Sequence, residues 1–223
     1  MQCSAAAALE LASPQAFGGI SSSALSYSPL GGPTGSGHVS FDRTQSDYLD
    51  GGSLQLNMAS NGGLTIVTVV RFTGSAGSYE RIVDLGNGAD NGNVLLSRVE
   101  TNDELWLVIA NSPAALYVST TSSAISQDEW LTIIARYDAS TLVGEVRING
   151  AVAGTATASA AITDRTISGA YVGRSHWAGD AYLNADMAGL MVTDRYLDLG
   201  TAVAIADSMS TDPLVVGGCA ECG

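Results

Sequence analysis

From residue 38 onward, apolar and polar side chains alternate in short runs set apart by Gly, Asn, Asp and Ser. A period of two predicts β-strands, with one set of side chains turned to a core and the other away from it. Residues 39–43 and 54–58 alternate in this way. After the Asn61-Gly62-Gly63 turn, residues 64–72 place Leu64, Ile66, Val70 and Phe72 on one face and Thr65, Val67, Val69 and Arg71 on the other. Both faces are fairly apolar, which predicts a central strand covered on both sides. Further strands are predicted at 81–85, 94–99, 105–110, 116–119, 130–138, 145–148, 151–157, 170–174 and 187–193. Asn149-Gly150 predicts a tight antiparallel hairpin, because both residues readily adopt positive φ.

The pattern changes at the two ends. Leu199, Ala202, Val203, Ala206 and Met209 recur at three- and four-residue steps, predicting one apolar stripe on a short helix that Asp212-Pro213 stops. Residues 1–36 read as a Gly/Ser/Pro-containing lead-in whose few large side chains could lie along a sheet edge without a clear period. The expected organisation is therefore a lead-in over 1–36, an all-β antiparallel sandwich or barrel over 37–212, and a tail over 213–223. Cys3, Cys219 and Cys222 lie at the chain extremes, so no disulfide is expected inside the sandwich. Cys219-Ala-Glu-Cys222 lacks the second ligand pair of a zinc knuckle and the βαβ context of a redox motif. It is read as the start of a Cys-rich module, and the pairing of the three cysteines stays open.

Composition narrows the class of partner. The chain carries 22 acidic and nine basic residues, every basic one an arginine, for a formal charge of −13. Such a surface repels nucleic acid and anionic lipid. Cations, neutral polysaccharides and basic protein surfaces stay open as partners. No run of about 18 apolar residues is present, so no membrane-inserted helix is expected. The opening residues lack a basic start and a long apolar core and are not read as a secretory signal. Either a signal lies upstream, or localisation is not written in these residues.

Three ordered segments resemble the laminin-G-like branch of the concanavalin A-like lectin/glucanase superfamily. Val39-Ser40-Phe41-Asp42 with Ser46-Asp47-Tyr48-Leu49 is similar to the family's opening strands. Asp128-Glu129-Trp130 through Asp138, followed by 144–150 ending in Asn149-Gly150, resembles its central hairpin. Tyr171-Val172-Gly173-Arg174 with 186–192 and Tyr196-Leu197 resembles the closing strands and the approach to the terminal helix. The resemblance covers about residues 37–210 and implies an all-β, antiparallel jelly-roll β-sandwich of the concanavalin A-like type. It does not imply a ligand, because function on a shared fold resides in the site.

Catalytic patterns are missing from the sequence. Glu100-Thr101-Asn102-Asp103-Glu104 does not have the Glu-x-Asp-x-(x)-Glu spacing that a glucanase of this fold requires. His38 and His176 are the only histidines, and no Gly-x-Ser-x-Gly elbow exists. No enzyme is expected. The resemblance implies that a calcium ion can sit at a sandwich rim, and Asp90, Asn91 and Asn93 in the loop 84–93 are the metal candidates. The same residues equally suit a turn that needs positive φ. For a sugar, Arg174, His176, Trp177 and Asp180 are the candidate ligand-binding residues, gathering a cation, an imidazole, an indole and a carboxylate in one loop. Trp177 is either an exposed stacking platform or a ring folded back over the sandwich end, whereas Trp106 and Trp130 are expected in the core.

The expected function is an extracellular or cell-surface binding and adhesion module that recognises glycan or protein through its end loops, with calcium as a candidate aid. The alternative is a structural bead in a larger assembly, contacting other modules or copies of itself.

Overall fold

The predicted alternation resolves into two stacked antiparallel sheets. A computed structural model describes residues 8–11 (backbone course only), 25–99, 102–110 and 115–211 of the chain. The first half contains β1 (Ala8–Leu11), β2 (Ser26–Ser28), β3 (His38–Phe41), β4 (Leu49–Asp50), β5 (Leu54–Leu56), β6 (Gly62–Phe72), β7 (Glu80–Gly86) and β8 (Val94–Val99). There follow β9 (Glu104–Ala110), β10 (Ala115–Ser119), β11 (Trp130–Asp138), β12 (Val143–Ile148), β13 (Ala151–Thr157), β14 (Arg165–Ile167), β15 (Gly169–Val172), β16 (Ala185–Arg195) and the helix α1 (Leu199–Thr211). The larger sheet runs β13-β12-β11-β6-β16-β3-β2, with β1 also paired to β16; the smaller runs β10-β9-β8-β7-β15-β4, and β5 pairs with β14. Strands ahead of residue 37 thus belong to the sandwich edge. The three cysteines and Pro213 lie outside the described residues.

Alternation places the core. Leu64, Ile66, Val70 and Phe72 of β6 meet Leu131, Ile133, Ala135 and Tyr137 of β11 in the main cluster between the sheets. Val67, Val69 and Ile134 turn the other way. β6 is therefore covered on both sides, as its two apolar faces require. Each fully buried Leu, Ile or Phe of this kind contributes about 1.5–3 kcal/mol relative to exposure. Asn149 (φ 50°) and Gly150 (φ 82°) form the β12–β13 turn, with Ile148 opposite Ala151.

The outward residues of β6, β11 and β16 are roofed by α1. Asp198 caps the helix, its Oδ1 accepting from the Thr201 N–H at 2.9 Å and its Oδ2 from the Thr201 hydroxyl at 2.6 Å. Ala202 and Ala206 are buried against Val67, Val69, Ala188 and Met191. A Cβ at Gly189 would stand 2.5 Å from Met209 Cγ, so this glycine lets the helix approach β16 closely. The expected stripe needs one correction: Val203 is exposed, and Ile205 packs toward the sheet instead. The two strand tryptophans also differ from expectation. Trp106 stands in register with Ser97 and Ser119 and is half-buried outside the core. Trp130 stands opposite Arg71 at the edge of the helix-covered cluster. Each occupies the outward half of its strand's alternation. Among the described residues no helix is long and apolar enough to cross a membrane.

Three connections cross between the sheets at the same end: 42–48, 73–79 and 173–184. Glu80, fully buried, ties them together. Its carboxylate accepts from Arg43 Nη2 of the first connection at 2.5 Å and from the Asn184 N–H of the third at 3.2 Å. It also accepts from Arg98 Nη1 at 3.3 Å, and Arg43 donates to Ser75 O of the second connection. Burial pushes the Glu80 carboxyl up, against the opposing pull of the Gly77 backbone, Arg43 and Arg98.

Candidate functional site

The site begins with register on the smaller sheet. Tyr171 of β15 stands directly opposite Asp50 of β4 and Asp84 of β7. Paired residues share a face, and Val172 and Val83 belong to the core, so Tyr171, Asp50 and Asp84 lie on the outer face. A β-bulge between Arg81 and Val83 inserts one residue. It brings Arg81 to the same face as Asp84, although the two are three apart.

The connection 173–184 folds back over this face. Its ends close through Leu183 N–H to Gly173 O at 2.9 Å, and Ala181 N–H bonds Ser78 O at 2.8 Å. Within it, the Trp177 N–H and the Ser175 hydroxyl form a relay to Asp180: Trp177 N donates to Ser175 Oγ at 3.0 Å, and Oγ donates to Asp180 Oδ2 at 2.7 Å. Arg81 Nη2 donates to the same Oδ2 at 2.7 Å, and its guanidinium lies 5.3 Å from the Trp177 ring. The relay and the stack hold the indole in place.

All four sugar-binding candidates line one pocket of about 190 Å³, with Ser175, Ala178 and Tyr182 completing it. Trp177 is half-buried, lying between the platform and folded-back alternatives. Three tyrosines join the cluster. The Tyr48 ring is 6.0 Å from Tyr171 and 6.1 Å from Tyr182, and Tyr171 is 4.5 Å from the His176 ring. The Arg174 guanidinium lies 4.8 Å from the Tyr48 ring and 4.7 Å from the Tyr171 ring. Tyr48 and Tyr171 stand behind the pocket, while Trp177, Tyr182 and His176 give the concavity itself aromatic surface beside a cation and hydrogen-bonding groups.

Beneath the pocket, Asp84 links the two loops singled out by the sequence. It accepts from the His176 N–H at 3.0 Å and from Asn93 Nδ2 at 2.9 Å. His176 Nδ1 also lies 3.1 Å from Asp84 Oδ1, although not in hydrogen-bond alignment. Burial alone would raise the Asp84 carboxyl. Contacts from the His176 ring, Asn93 and the His176 backbone outweigh it and hold the group below its ordinary value. A Cβ at Gly169 would stand 2.8 Å from His176 Nε2, so the bare glycine makes room for the imidazole.

Asp90, Asn91 and Asn93 lie together in the turn ahead of β8. Asp90 has a positive φ of 56°. Asn93 is buried, its Oδ1 accepting from the Asn91 N–H at 3.0 Å while its amide nitrogen reaches Asp84. Asn91 Nδ2 donates to Asn87 O at 3.3 Å. With Asn93 engaged in the turn, Asp90 and Asn91 are the side chains of the three that are left to offer oxygen, against the roughly six to eight ligands calcium takes. Among the described residues, no group of three or more His, Cys, Asp or Glu side chains could hold a metal ion.

The other histidine belongs to a different network. His38 Nε2 is 3.7 Å from Asp186 Oδ1, to which Ser40 Oγ donates at 2.6 Å. Arg71 grips Oδ2 of the same carboxylate at 2.7 Å and 3.2 Å. The Ser40 hydroxyl thus bonds Asp186 and not the His38 ring, and the Asp186 carboxylate is gripped by Arg71. Asp103 is paired with Arg98, and Glu104 accepts from Ser122 at 3.0 Å. Glu100 lies outside the described residues.

Nothing in the sequence marks Tyr48, Tyr171, Tyr182, Arg81 or Asp84 as residues of the sugar site. Alternation against Val172 could have turned Tyr171 outward, but its neighbours on β4 and β7 are set by tertiary register.

A laminin G family model described as the concanavalin A-like lectin/glucanases superfamily matches residues 39–200. A search of curated protein sequences finds no match. Solved structures share the fold at low identity. The CBM40 module of the Ruminococcus gnavus IT-sialidase, bound to alpha2,3 sialyllactose, superposes with a TM-score of 0.57 at 11% identity, covering 76% of this chain and 95% of the module. The tailspike protein 2 of an Escherichia coli O157:H7 bacteriophage gives 0.59 at 12% identity, over 87% of this chain and 28% of that one. The binding domain of Botulinum Neurotoxin DC, in complex with SialylT, gives 0.58 at 10%, over 92% and 46%.

Proposed function

This chain belongs to the concanavalin A-like lectin/glucanases superfamily, and we propose that it is a non-catalytic glycan-binding module whose site is the pocket beside Trp177. The observation that carries the reading is the convergence of Arg174, His176, Trp177 and Asp180 on one concavity, backed by three tyrosines. A pyranose needs an aromatic surface for its apolar face and polar groups for its rim hydroxyls, and this concavity supplies both.

Two further facts support it. The bacterial CBM40 module and the toxin binding domain, which share the fold, are described with sialylated ligands. The site's carboxylates are held by neighbours, Asp180 by Arg81 and Ser175 and Asp84 by Asn93 and the His176 N–H, an arrangement suited to positioning. On this reading the module works at a cell surface or outside the cell.

The test is titration of the protein with a panel of soluble oligosaccharides, repeated with Trp177→Ala. Loss of an aromatic anchor is expected to weaken binding by about tenfold or more. A protein that binds no oligosaccharide, as a purely structural bead would, overturns the reading. So does sugar binding that is indifferent to Trp177.

A further inference from the structure

Arg174 departs from the pattern of the other arginines around it. Six of the nine are paired with carboxylates: Arg43, Arg71, Arg81, Arg98, Arg136 and Arg147. A seventh, Arg165, donates to the carbonyls of Gly92 and Ala110, and an eighth, Arg195, is exposed to solvent at the end of β16. Arg174 meets no carboxylate and no hydrogen-bond acceptor among the described residues. Its guanidinium instead lies on the faces of Tyr48 and Tyr171, and the residue lines the pocket.

We propose that the ligand of this pocket is a sugar bearing a carboxylate, and that Arg174 is its anchor. The inference rests on the glycan reading above and names the ligand's chemistry. In a chain of net charge −13, a cation in a pocket would ordinarily be neutralised by a neighbouring acid. Here the acids nearby in the fold are engaged elsewhere. Asp180 is held by Arg81 and Ser175, and Asp84 by Asn93 and the His176 N–H. Asp50 accepts from the Gly52 N–H at 2.8 Å, and Asp47 from the Asp42 N–H at 3.0 Å.

Stacking on two rings fixes the guanidinium plane while leaving its N–H edge for a ligand. A planar fork with free donors matches a carboxylate in a two-point contact, which a hydroxyl cannot make. Trp177 in the same pocket supplies the surface for the sugar ring. The pairing also explains how so acidic a protein could take an acidic ligand: an uncompensated cation sits where the ligand's charge would fall, while the pocket's own carboxylate, Asp180, is neutralised by Arg81.

The experiment compares matched sugars by calorimetry: sialyllactose against lactose, and an oligouronate against its carboxyl-reduced form. Each is measured with the wild type, Arg174→Gln and Arg174→Lys, with thermal melts to establish folding. At least one acidic sugar is expected to bind about tenfold or more tighter than its neutral partner, the scale of a charge-assisted contact. The pair that shows the preference separates a sialic acid from a uronic acid as its source. Arg174→Gln should collapse the acid-to-neutral ratio toward one, and Arg174→Lys should restore part of it. If Arg174→Gln fails to fold, Arg174→Lys carries the test through a reduced ratio, because a point charge loses the planar two-point contact. Equal binding of both members of each pair by the wild type overturns the carboxylate proposal and leaves the glycan module standing. Binding of none of the four sugars overturns both.

Discussion

The two outer faces of the sandwich are covered in opposite ways. On the larger sheet, α1 lays Ala202 and Ala206 onto Val67, Val69, Ile134 and Met191. Small side chains on the helix and a glycine at 189 let the backbones approach, leaving an apolar seam. On the smaller sheet, the connection 173–184 settles over Asp84 and Arg81 through hydrogen bonds and ring stacks, and it leaves a pocket. An apolar cover secures the fold but offers nothing to a polar ligand. A polar cover is held by directional contacts at a few points, and the space between those contacts is where a ligand can bind. On the proposed reading, function belongs to the second face.

Substitutions on either face can break or sharpen the contrast. The largest effect is expected from Ala206→Asp, which buries an unpaired charge under the helix. It should cost about 3 kcal/mol or more of stability in urea unfolding, while sugar affinity of the folded protein is unchanged. A matched pair comes next. Gly189→Ala should cost about 1–3 kcal/mol by overpacking against Met209. Gly169→Ala should displace His176 and show mainly as weakened sugar binding. Equal behaviour of the pair would erase the distinction between the faces. Trp177→Ala should lower affinity by about tenfold, with a stability change of less than about 1 kcal/mol by chemical denaturation.

Acid gives a smaller lever. Because the Asp84 carboxyl is held below its ordinary value, its contribution is full above an unfolded pKa of about 3.9 and is lost as pH falls through the lowered folded value. Glu80 is raised and runs the other way, favouring the fold below its ordinary value and losing that contribution as pH rises. Asp84→Asn should therefore flatten the decline of the urea midpoint on the acid side of about pH 4. Calcium is the smallest. Exchanging a chelator for calcium should leave the melting midpoint unmoved, whereas a site held at 100 times its dissociation constant would add about 2.7 kcal/mol; loss of that gain on Asp90→Ala would then assign the metal to the Asp90–Asn93 turn.

Much of the sandwich is legible in the sequence because its signal is local. The split of β6 into Leu64, Ile66, Val70 and Phe72 against Val67 and Val69 needs only a period of two. The Asn149-Gly150 hairpin needs only turn chemistry. The loop 174–180 stands out because it places four chemically distinct side chains within seven residues. What escapes is set at a distance. Tyr171, Asp50 and Asp84 become neighbours only through the pairing of strands far apart in sequence. The bulge at Arg81 leaves no local trace, and nothing in the spacing of Asn93 and His176 shows that both reach Asp84. Val203 and Ile205 exchange roles because a short stripe defines the rotation of a helix only loosely. β1 and β2 carry too few large side chains to show a period.

Ligand is expected in the pocket that residues 174–182 form over the outer face of the smaller sheet. Amide chemical-shift mapping with sialyllactose or an oligouronate tests this most directly. The largest perturbations are expected at Tyr48, Tyr171 and residues 174–182, with α1 and its partners on β16 silent. Perturbations centred on the helix-covered face, with the 174–182 amides unmoved in the presence of bound sugar, would contradict the account.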